Sequence, residues 1–280
     1  MKILVTGGSG YLGTHVRRFF NADDFSRRSG RDVLRGEDVK VVADYDAVIH
    51  LAAYLDKDPE GAELSFQTNV EGTANILRNL RPNAIFIYAS TKDVYGANAS
   101  AYSVVPETCA TDYCGQTALE WSKLIGERYV EYYARRRNLR ACIFRMSTVY
   151  ARPSEGNEPS FVTHYVESVK HRVPIRVPLS GQPVRDILHV EDFSHACQAF
   201  IDSSLASGLY NLGGGKENAA SLREIVERIG SMIQVAPTIV DDQTLPHPIP
   251  VNYVSDLSRI REQLGWQPVI GVEQGLRSLL

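Results

Sequence analysis

The chain is poor in the residues that would hold it together covalently or through a metal. Four cysteines occur in 280 residues, Cys109, Cys114, Cys142 and Cys197. No two of them have CxxC spacing, and the set is too sparse and irregular for a disulfide framework. The seven histidines form no HExxH pattern, so neither a structural nor a catalytic zinc is expected. Cys109 and Cys114 have no recognisable activating partner, which argues against thiol chemistry. Long apolar runs are missing as well, since none approaches the ~18–20 residues of a membrane span. Nor does one sign of charge dominate. Thirty basic residues face 33 acidic ones, a net charge of -3, which gives no general reason to bind nucleic acid or an anionic membrane. The one dense basic run, Arg135-Arg136-Arg137, follows a helical pattern and reads as a solvated, dipole-complementing helix end. Met1 to Val5 run straight into a glycine-rich turn without space for a signal peptide, so a soluble cytoplasmic protein is expected.

What is present is an ordinary globular composition, 44% hydrophobic and 22% charged, and a regular alternation of elements. Ile3-Leu4-Val5, Val48-Ile49-His50-Leu51, Ala84 to Tyr88 and Ala141 to Phe144 read as buried strands. Thr14 to Phe20, Asn69 to Leu80 and Leu119 to Arg137 read as helices. Continuous apolar strands alternating with helices predict a parallel sheet covered on both faces. After Val149 the texture becomes richer in proline, glycine and polar residues, with helical patterns at Glu191 to Ile201 and Ser221 to Met232. The expected organisation is a dinucleotide-binding part over residues 1–150, to which 187–212 return, and a smaller substrate region over 151–186 and 213–280.

Thr6-Gly7-Gly8-Ser9-Gly10-Tyr11-Leu12-Gly13 follows the first strand and opens the first helix. Gly7, Gly10 and Gly13 supply a tight turn, backbone approach to a pyrophosphate and close helix–strand packing. If the ligand is NAD, a carboxylate should stand about 20 positions on to pair the ribose hydroxyls. Around that place the chain reads Phe25-Ser26-Arg27-Arg28-Ser29, with Asp23 and Asp24 slightly upstream. Two guanidiniums and two hydroxyls suit a 2′-phosphate better than a diol, so the reading leans toward NADP over NAD. The plain alternative is that both arginines are solvated loop residues.

These segments resemble, in order and over nearly the whole chain, the extended short-chain dehydrogenase/reductases of the nucleotide-sugar epimerase/dehydratase group. Thr6 to Gly13 is like the family's TGxxGxxG, and Asp32-Val33 like its adenine-facing pair. His50-Leu51-Ala52-Ala53 is similar to its HxAA strand end, and Asn69 matches a helix asparagine. Ser90-Thr91-Lys92-Asp93-Val94-Tyr95-Gly96 is similar to SSxxVYG, Ser122 to Glu127 to SKxxxE, and Arg145 to Tyr150 to the RxxNVYG strand. Val184-Arg185-Asp186 with Val190-Glu191-Asp192, and Leu264-Gly265-Trp266-Gln267-Pro268, resemble segments of the family's C-terminal half. Gly213 to Asn218 looks like the GGGxEN segment of some CDP-sugar 2-epimerases. The resemblance implies a Rossmann-type, doubly wound α/β fold, a nucleotide-sugar substrate and a homodimer packed through helices. It assigns cofactor contacts to Gly7, Ser9, Gly10, Tyr11, Leu12, Gly13, Asp32, Val33, Leu51, Ala52, Ala53, Asn69, Ala89 and Lys123, beside the Arg27 and Arg28 read from the turn.

The family's chemistry exchanges hydrogen between nicotinamide and a sugar carbon, with a tyrosine of a YxxxK helix moving the proton. Here the pattern breaks. Four residues before Lys123 stands Leu119, and four after Tyr113 stands Thr117. Leucine moves no proton, so Tyr113 from the preceding loop, Lys92 as an acid or Asp93 as a base are the substitutes considered. Thr91 and Lys123 complete the expected catalytic set. Lys92-Asp93 occupies the position of the acidic pair of the family's 4,6-dehydratases, which disfavours a dehydratase of the usual kind. Arg185 is the candidate pyrophosphate partner, with His247 where relatives often carry a second arginine. Three readings stay open: an epimerase that oxidises and re-reduces one sugar carbon, an NADP-dependent keto-sugar reductase or dehydrogenase, and a silent nucleotide-sugar-binding protein.

Overall fold

The first strand, β1 (Ile3–Thr6), leads through the glycine turn into α1 (Gly13–Phe20), then β2 (Asp23–Phe25), α2 (Gly36–Val39) and β3 (Ala47–His50). This computed structural model describes residues 1–112, 117–157, 160–245 and 249–280. α3 (Ala62–Phe66), α4 (Thr73–Asn79), β4 (Ile85–Thr91), α5 (Ala118–Arg137) and β5 (Arg140–Met146) complete the first half. The second half contains β6 (Thr148–Tyr150), α6 (Phe161–Lys170), β7 (Ile175–Val177), β8 (Val184–His189), α7 (Val190–Asp202) and β9 (Ser207–Leu212). It ends with β10 (Ala219–Ser221), α8 (Leu222–Ile233), β11 (Ile239–Asp241), α9 (Ser258–Leu264) and α10 (Val272–Leu279).

Six parallel strands pair in the order β2-β1-β3-β4-β5-β9. Strand alternation sends successive side chains to opposite faces, and both faces are apolar. Ile3, Val5, Ile49, Ile87, Cys142 and Phe144 meet Val16 of α1 and Phe193, Cys197 and Phe200 of α7. Leu4, Val48, Phe86, Tyr88 and Ile143 meet Ile76 and Leu77 of α4 and Val130 of α5. The apolar runs in the sequence are therefore strands buried on both sides, as a parallel sheet requires. The chain moves from β1 outward to β2 and returns to β3 on the other side of β1, which places a topological switch point at the carboxyl ends of β1 and β3.

The helices begin and end where local chemistry dictates. Thr117 and Glu120 form a capping box at the start of α5, as do Ser221 and Glu224 at α8. Asn21, Asn138 and Gln234 close α1, α5 and α8 in the left-handed region. Arg135 and Arg136 are exposed at the end of α5, whereas Arg137 turns inward and donates to the Leu80 carbonyl at 2.6 Å. Between α3 and α4 the helix widens to a π-helix over Gln67–Gly72, so the continuous helix expected from Asn69 begins inside a wider turn.

Three further strands, β10-β8-β6, form a separate sheet with α6, α8 and α10 packed around it. Asp192 at the start of α7 ties the C-terminal segment down: Oδ1 accepts from Val269 N at 3.1 Å, Oδ2 from Ile270 N at 3.0 Å, and the Asp192 carbonyl from Trp266 Nε1 at 3.1 Å. Replacing the fully buried Asp192 by alanine should remove the ties to Val269 N and Ile270 N and cost about 2 kcal/mol in urea unfolding. A loss under about 0.5 kcal/mol would mean the segment is held by packing alone.

Candidate active site

The glycine turn is built by crowding. Gly7 takes φ +68°, and a Cβ there would lie 2.8 Å from Ala52 N; one on Gly13 would collide with the Gly7 carbonyl. Gly7 N donates to Phe25 O at 2.8 Å and Gly10 N to Gly7 O at 2.9 Å, so the turn is wedged between the ends of β2 and β3. No side chain caps the start of α1 at Leu12. The turn thus aims uncapped helix N–H groups at the switch point, an arrangement that suits a pyrophosphate. The Tyr11 phenol leaves this turn: it donates to Ala151 O at 2.6 Å, accepts from Ala151 N at 2.7 Å and lies 3.0 Å from Ser160 and Thr163 hydroxyls. Tyr11 therefore offers the turn its backbone only.

β2 ends at Phe25, and both upstream carboxylates lie inside the strand, with Asp24 Oδ1 left without a hydrogen-bond partner among the described residues. Asp23 accepts from the Tyr45 phenol at 2.8 Å, and burial together with that carboxylate pushes Tyr45 up to about 12. Asp24 accepts from Ser26 Oγ at 3.0 Å and lies 3.6 Å from Arg17. Ser9 Oγ donates to Ser26 Oγ at 2.8 Å, so hydroxyls occupy the position just past the strand. Arg27 and Arg28 are exposed beside them. Arg28 Nη1 donates to Ser9 O at 3.2 Å and to Asn157 Oδ1 at 3.1 Å, and Nη2 donates to Gly156 O. Asp32 holds its own turn by accepting from Leu34 N at 2.9 Å, and Val33 is buried against Gly72.

From the glycine turn a chain of hydrogen bonds crosses the sheet ends. Leu51 N donates to Thr6 O at 3.1 Å and Ala52 N to Thr6 Oγ1 at 3.2 Å; Ala53 follows. Thr73 Oγ1 donates to Asn69 O at 2.7 Å, so it accepts from His50 Nε2–H at 3.0 Å, and His50 Nδ1 in turn accepts from Thr6 Oγ1 at 2.8 Å. Burial, with Lys123 nearby, pushes His50 down to about 3 and keeps the ring neutral. Asn69 donates to Tyr54 O and to Ser122 Oγ, both at 2.9 Å, and Ser122 donates to Leu119 O at 2.9 Å. The Asn69 side chain is thus spent on fastening the loop after β3 to α5.

At the carboxyl end of β4, Lys123 is 4% exposed and donates to the Ala89 carbonyl at 2.8 Å, with its ammonium 5.1 Å from the centre of the Tyr88 ring. Burial pushes Lys123 down to about 8, only partly opposed by Glu127. Glu127 is committed elsewhere: it accepts from Arg145 Nε at 3.0 Å, Arg145 Nη2 at 2.7 Å and Ser90 Oγ at 2.5 Å. Leu119 lies one helical turn before Lys123 and is buried. Thr91 accepts from Asp93 N at 3.1 Å and caps the following turn.

Lys92 pairs with Asp93, whose other oxygen accepts from Lys57 Nζ at 2.9 Å; Lys57 also donates to the buried Glu120 at 2.7 Å. Burial would raise Asp93, but the two lysines override it and hold the carboxyl well below the usual range, which makes Asp93 a weak base. Lys57 and Glu120 escaped the sequence reading. Glu120 was detectable as the fourth residue of a Thr-x-x-Glu box, whereas Lys57 sits in the charged run Asp56 to Glu60, where nothing marks it out. Tyr113 and His247 lie outside the described residues.

On the other side, Arg185 is buried and donates from Nη1 to Val184 O and Val251 O at 2.6 Å and from Nη2 to Pro250 O at 3.3 Å. Asp186 accepts from Ser147 Oγ, from Gly215 N at 3.2 Å and from Ser255 N at 3.0 Å, and is a structural tie.

Because Lys123 falls from the usual lysine value to about 8, the unfolded chain holds more protons between those two values, and stability should rise with pH across that window. Burying the charged amine costs about 3 kcal/mol at neutral pH. Lys123→Met should therefore be more stable by about 1–3 kcal/mol in urea unfolding at neutral pH, an advantage that shrinks toward strongly alkaline pH. A destabilised variant at neutral pH would show that the amine is not desolvated.

Residues 3–213 match the family described as NAD dependent epimerase/dehydratase family. The CDP-paratose 2-epimerase of Salmonella typhi is 25% identical, with 100% of this chain and 98% of that protein covered. In structure, the UDP-glucuronic acid 4-epimerase from Bacillus cereus, solved with UDP-glucuronic acid and NAD, superposes with a TM-score of 0.86 at 22% identity, covering 99% and 97% of the two chains. RMD from Pseudomonas aeruginosa, complexed with NADPH, does so with 0.84 at 23% identity, covering 100% and 98%. With a parallel six-stranded sheet, a glycine turn at its switch point and this match over most of its length, the chain belongs to the NAD-dependent epimerase/dehydratase family of Rossmann-type enzymes that act on nucleotide sugars.

Proposed function

We propose that this chain is an NAD(P)-dependent nucleotide-sugar epimerase that works by transient oxidation of a sugar carbon, with Leu119 where the family's tyrosine stands. The observation that carries this reading is the buried Lys123 bonded to Ala89 O at the carboxyl end of β4, two residues from Thr91. A buried amine held at a costly site and a strand-end hydroxyl are what a silent scaffold would not need. Residues 1–150 with 187–212 form the dinucleotide-binding part in this reading, and 151–186 with 213–280 form the sugar-binding part. The glycine cradle fits the cofactor, since side chains at Gly7 and Gly13 would fill the space a pyrophosphate approaches. When bound, the nicotinamide supplies oxidation and re-reduction of the sugar carbon.

The chain's own residues have separable tasks. Backbone N–H groups at Tyr11 to Gly13 hold the pyrophosphate, and Ser9, Ser26 and Arg27 surround the adenine ribose. Asp23 and Asp24 lie within β2 rather than past it, Asp24 accepting from Ser26 through one oxygen and leaving Oδ1 unpaired among the described residues. The hydroxyls and guanidiniums at 26–28 that follow favour NADP. Thr91 orients the reacting sugar hydroxyl. Arg185 keeps part of its donor fork for the substrate pyrophosphate after capping the 250–251 carbonyls. Exposed Leu64, Phe66, Trp121 and Tyr132 on the neighbouring α3 and α5 favour a homodimer through these helices. A keto-sugar reductase using exchangeable NADP is the second reading, favoured by the exposed Arg27 and Arg28.

An epimerase should retain its cofactor through gel filtration, whereas a reductase should lose it and consume it stoichiometrically with a keto sugar. Arg27→Ala should weaken NADP binding by about 10-fold or more in calorimetry, the scale of one charge-assisted contact, and leave NAD binding nearly unchanged. Equal losses for both dinucleotides would remove the NADP assignment.

A further inference from the structure

We propose that Lys123 itself moves the substrate proton, in the role that a tyrosine fills where the family's YxxxK helix is intact. The inference rests on the epimerase or reductase reading above and names the proton carrier that the reading leaves open.

The geometry supports this in three ways. The strand order places the ribose end of a dinucleotide at β2 and its phosphates at β1, so the nicotinamide half extends toward β4. Lys123 lies there, on the same face of α5 as Leu119 and bonded to the carbonyl of Ala89, two residues before Thr91. Secondly, among the described residues no carboxylate forms an ion pair with the amine, and Glu127 acts on it only at a distance. Glu127, one turn further on α5, is taken by a bidentate bond from Arg145 of β5 and by Ser90 of β4. Thirdly, among the described residues the remaining neighbours do not compete for the proton. His50 of β3 is neutral, Tyr88 of β4 is raised above the usual phenol range by burial, and Lys92, Asp93, Lys57 and Glu120 bond one another. Leucine at position 119 adds no polar atom and keeps the surroundings dry, which favours an uncharged amine.

The neutral Lys123 amine takes the hydroxyl proton of the sugar and becomes an ammonium. The carbon–hydrogen bond breaks with both electrons, and that hydrogen passes to the oxidised nicotinamide dinucleotide as the carbonyl forms. On return the ammonium gives its proton to the carbonyl oxygen while the carbon regains the hydrogen. Oxidation therefore accelerates, and reduction slows, as pH rises through about 8, in line with the amine's depressed affinity for its proton.

The test uses the full chain with added NAD or NADP and those nucleotide sugars that calorimetry shows to bind. In single turnovers, oxidation should rise with pH, be half-maximal near 8 and level off above it. Lys123→Arg keeps the charge but cannot release a proton, and should lose about a thousandfold in rate while binding cofactor within a few-fold. Lys123→Ala should regain rate with added primary amines, increasing with their basicity, a response that a purely structural lysine would not give. Independently of turnover, the lysine Cε resonance that disappears in Lys123→Arg should titrate near 8 in the cofactor-free protein. A titration at the ordinary lysine value, or a Lys123→Arg enzyme with wild-type rate and pH profile, would overturn the inference and leave the enzymatic reading standing. A wild-type protein that binds cofactor and sugar yet converts none would overturn both.

Discussion

The placement of the site rests on one buried ion pair. Arg145 of β5 grips Glu127 of α5 through two bonds, with side-chain exposures of 3% and 0%. Ser90 of β4 shares the same carboxylate, so three elements meet at a point closed to water. Breaking such a pair from one side costs about 3–5 kcal/mol, because the remaining charge is left unsolvated. The pair therefore fixes the rotation of α5 against the sheet, and with it the face that carries Leu119 and Lys123. It also explains why Lys123 forms no ion pair with its own helix: Glu127, one turn on, is held by Arg145 and Ser90, and Glu120, one turn back, by Lys57.

A second fastening crosses the carboxyl ends of the strands. The hydroxyl, imidazole and amide groups of Thr6, His50, Thr73, Asn69 and Ser122 pass hydrogen bonds from the glycine turn to the backbone at Leu119. Every member is satisfied, so the network is rigid rather than costly. It links the glycine turn to the part of α5 that carries Leu119 and Lys123, across the carboxyl ends of β1, β3 and β4. The π-helix over Gln67–Gly72 belongs to the same device, since it carries Asn69 to the loop after β3.

Much of this was legible in the sequence because it depends on local rules. Continuous apolar runs become strands buried on both faces, and the glycine spacing becomes a turn that no side chain could enter. Val190-Glu191-Asp192 and Leu264 to Pro268 are far apart in sequence, yet Asp192 binds Trp266 and the segment after it. Asn218, at the end of the Gly213 segment, accepts from Val272 N and donates to Ile270 O, which gives that signature a structural role in this chain. What the sequence concealed is pairwise and non-local. Nothing in Asp56 to Glu60 singles out the lysine that bridges Asp93 and Glu120, and nothing in Arg27-Arg28 says that one of them reaches Asn157. The widening of the helix at Gln67–Gly72 is also hidden, because its apolar spacing fits an ordinary helix equally well.

Leu119 stands at the centre of the account: in the proposed reading it takes the place of the family's proton-moving phenol, one helical turn from the buried Lys123 amine. The most direct measurement is the nicotinamide absorbance of the protein loaded with NAD or NADP, recorded through a single turnover with bound nucleotide sugars and their keto forms. The account predicts a sugar-dependent change in absorbance with at least one of them. A flat trace with every bound sugar, together with sugars recovered unchanged, would contradict it.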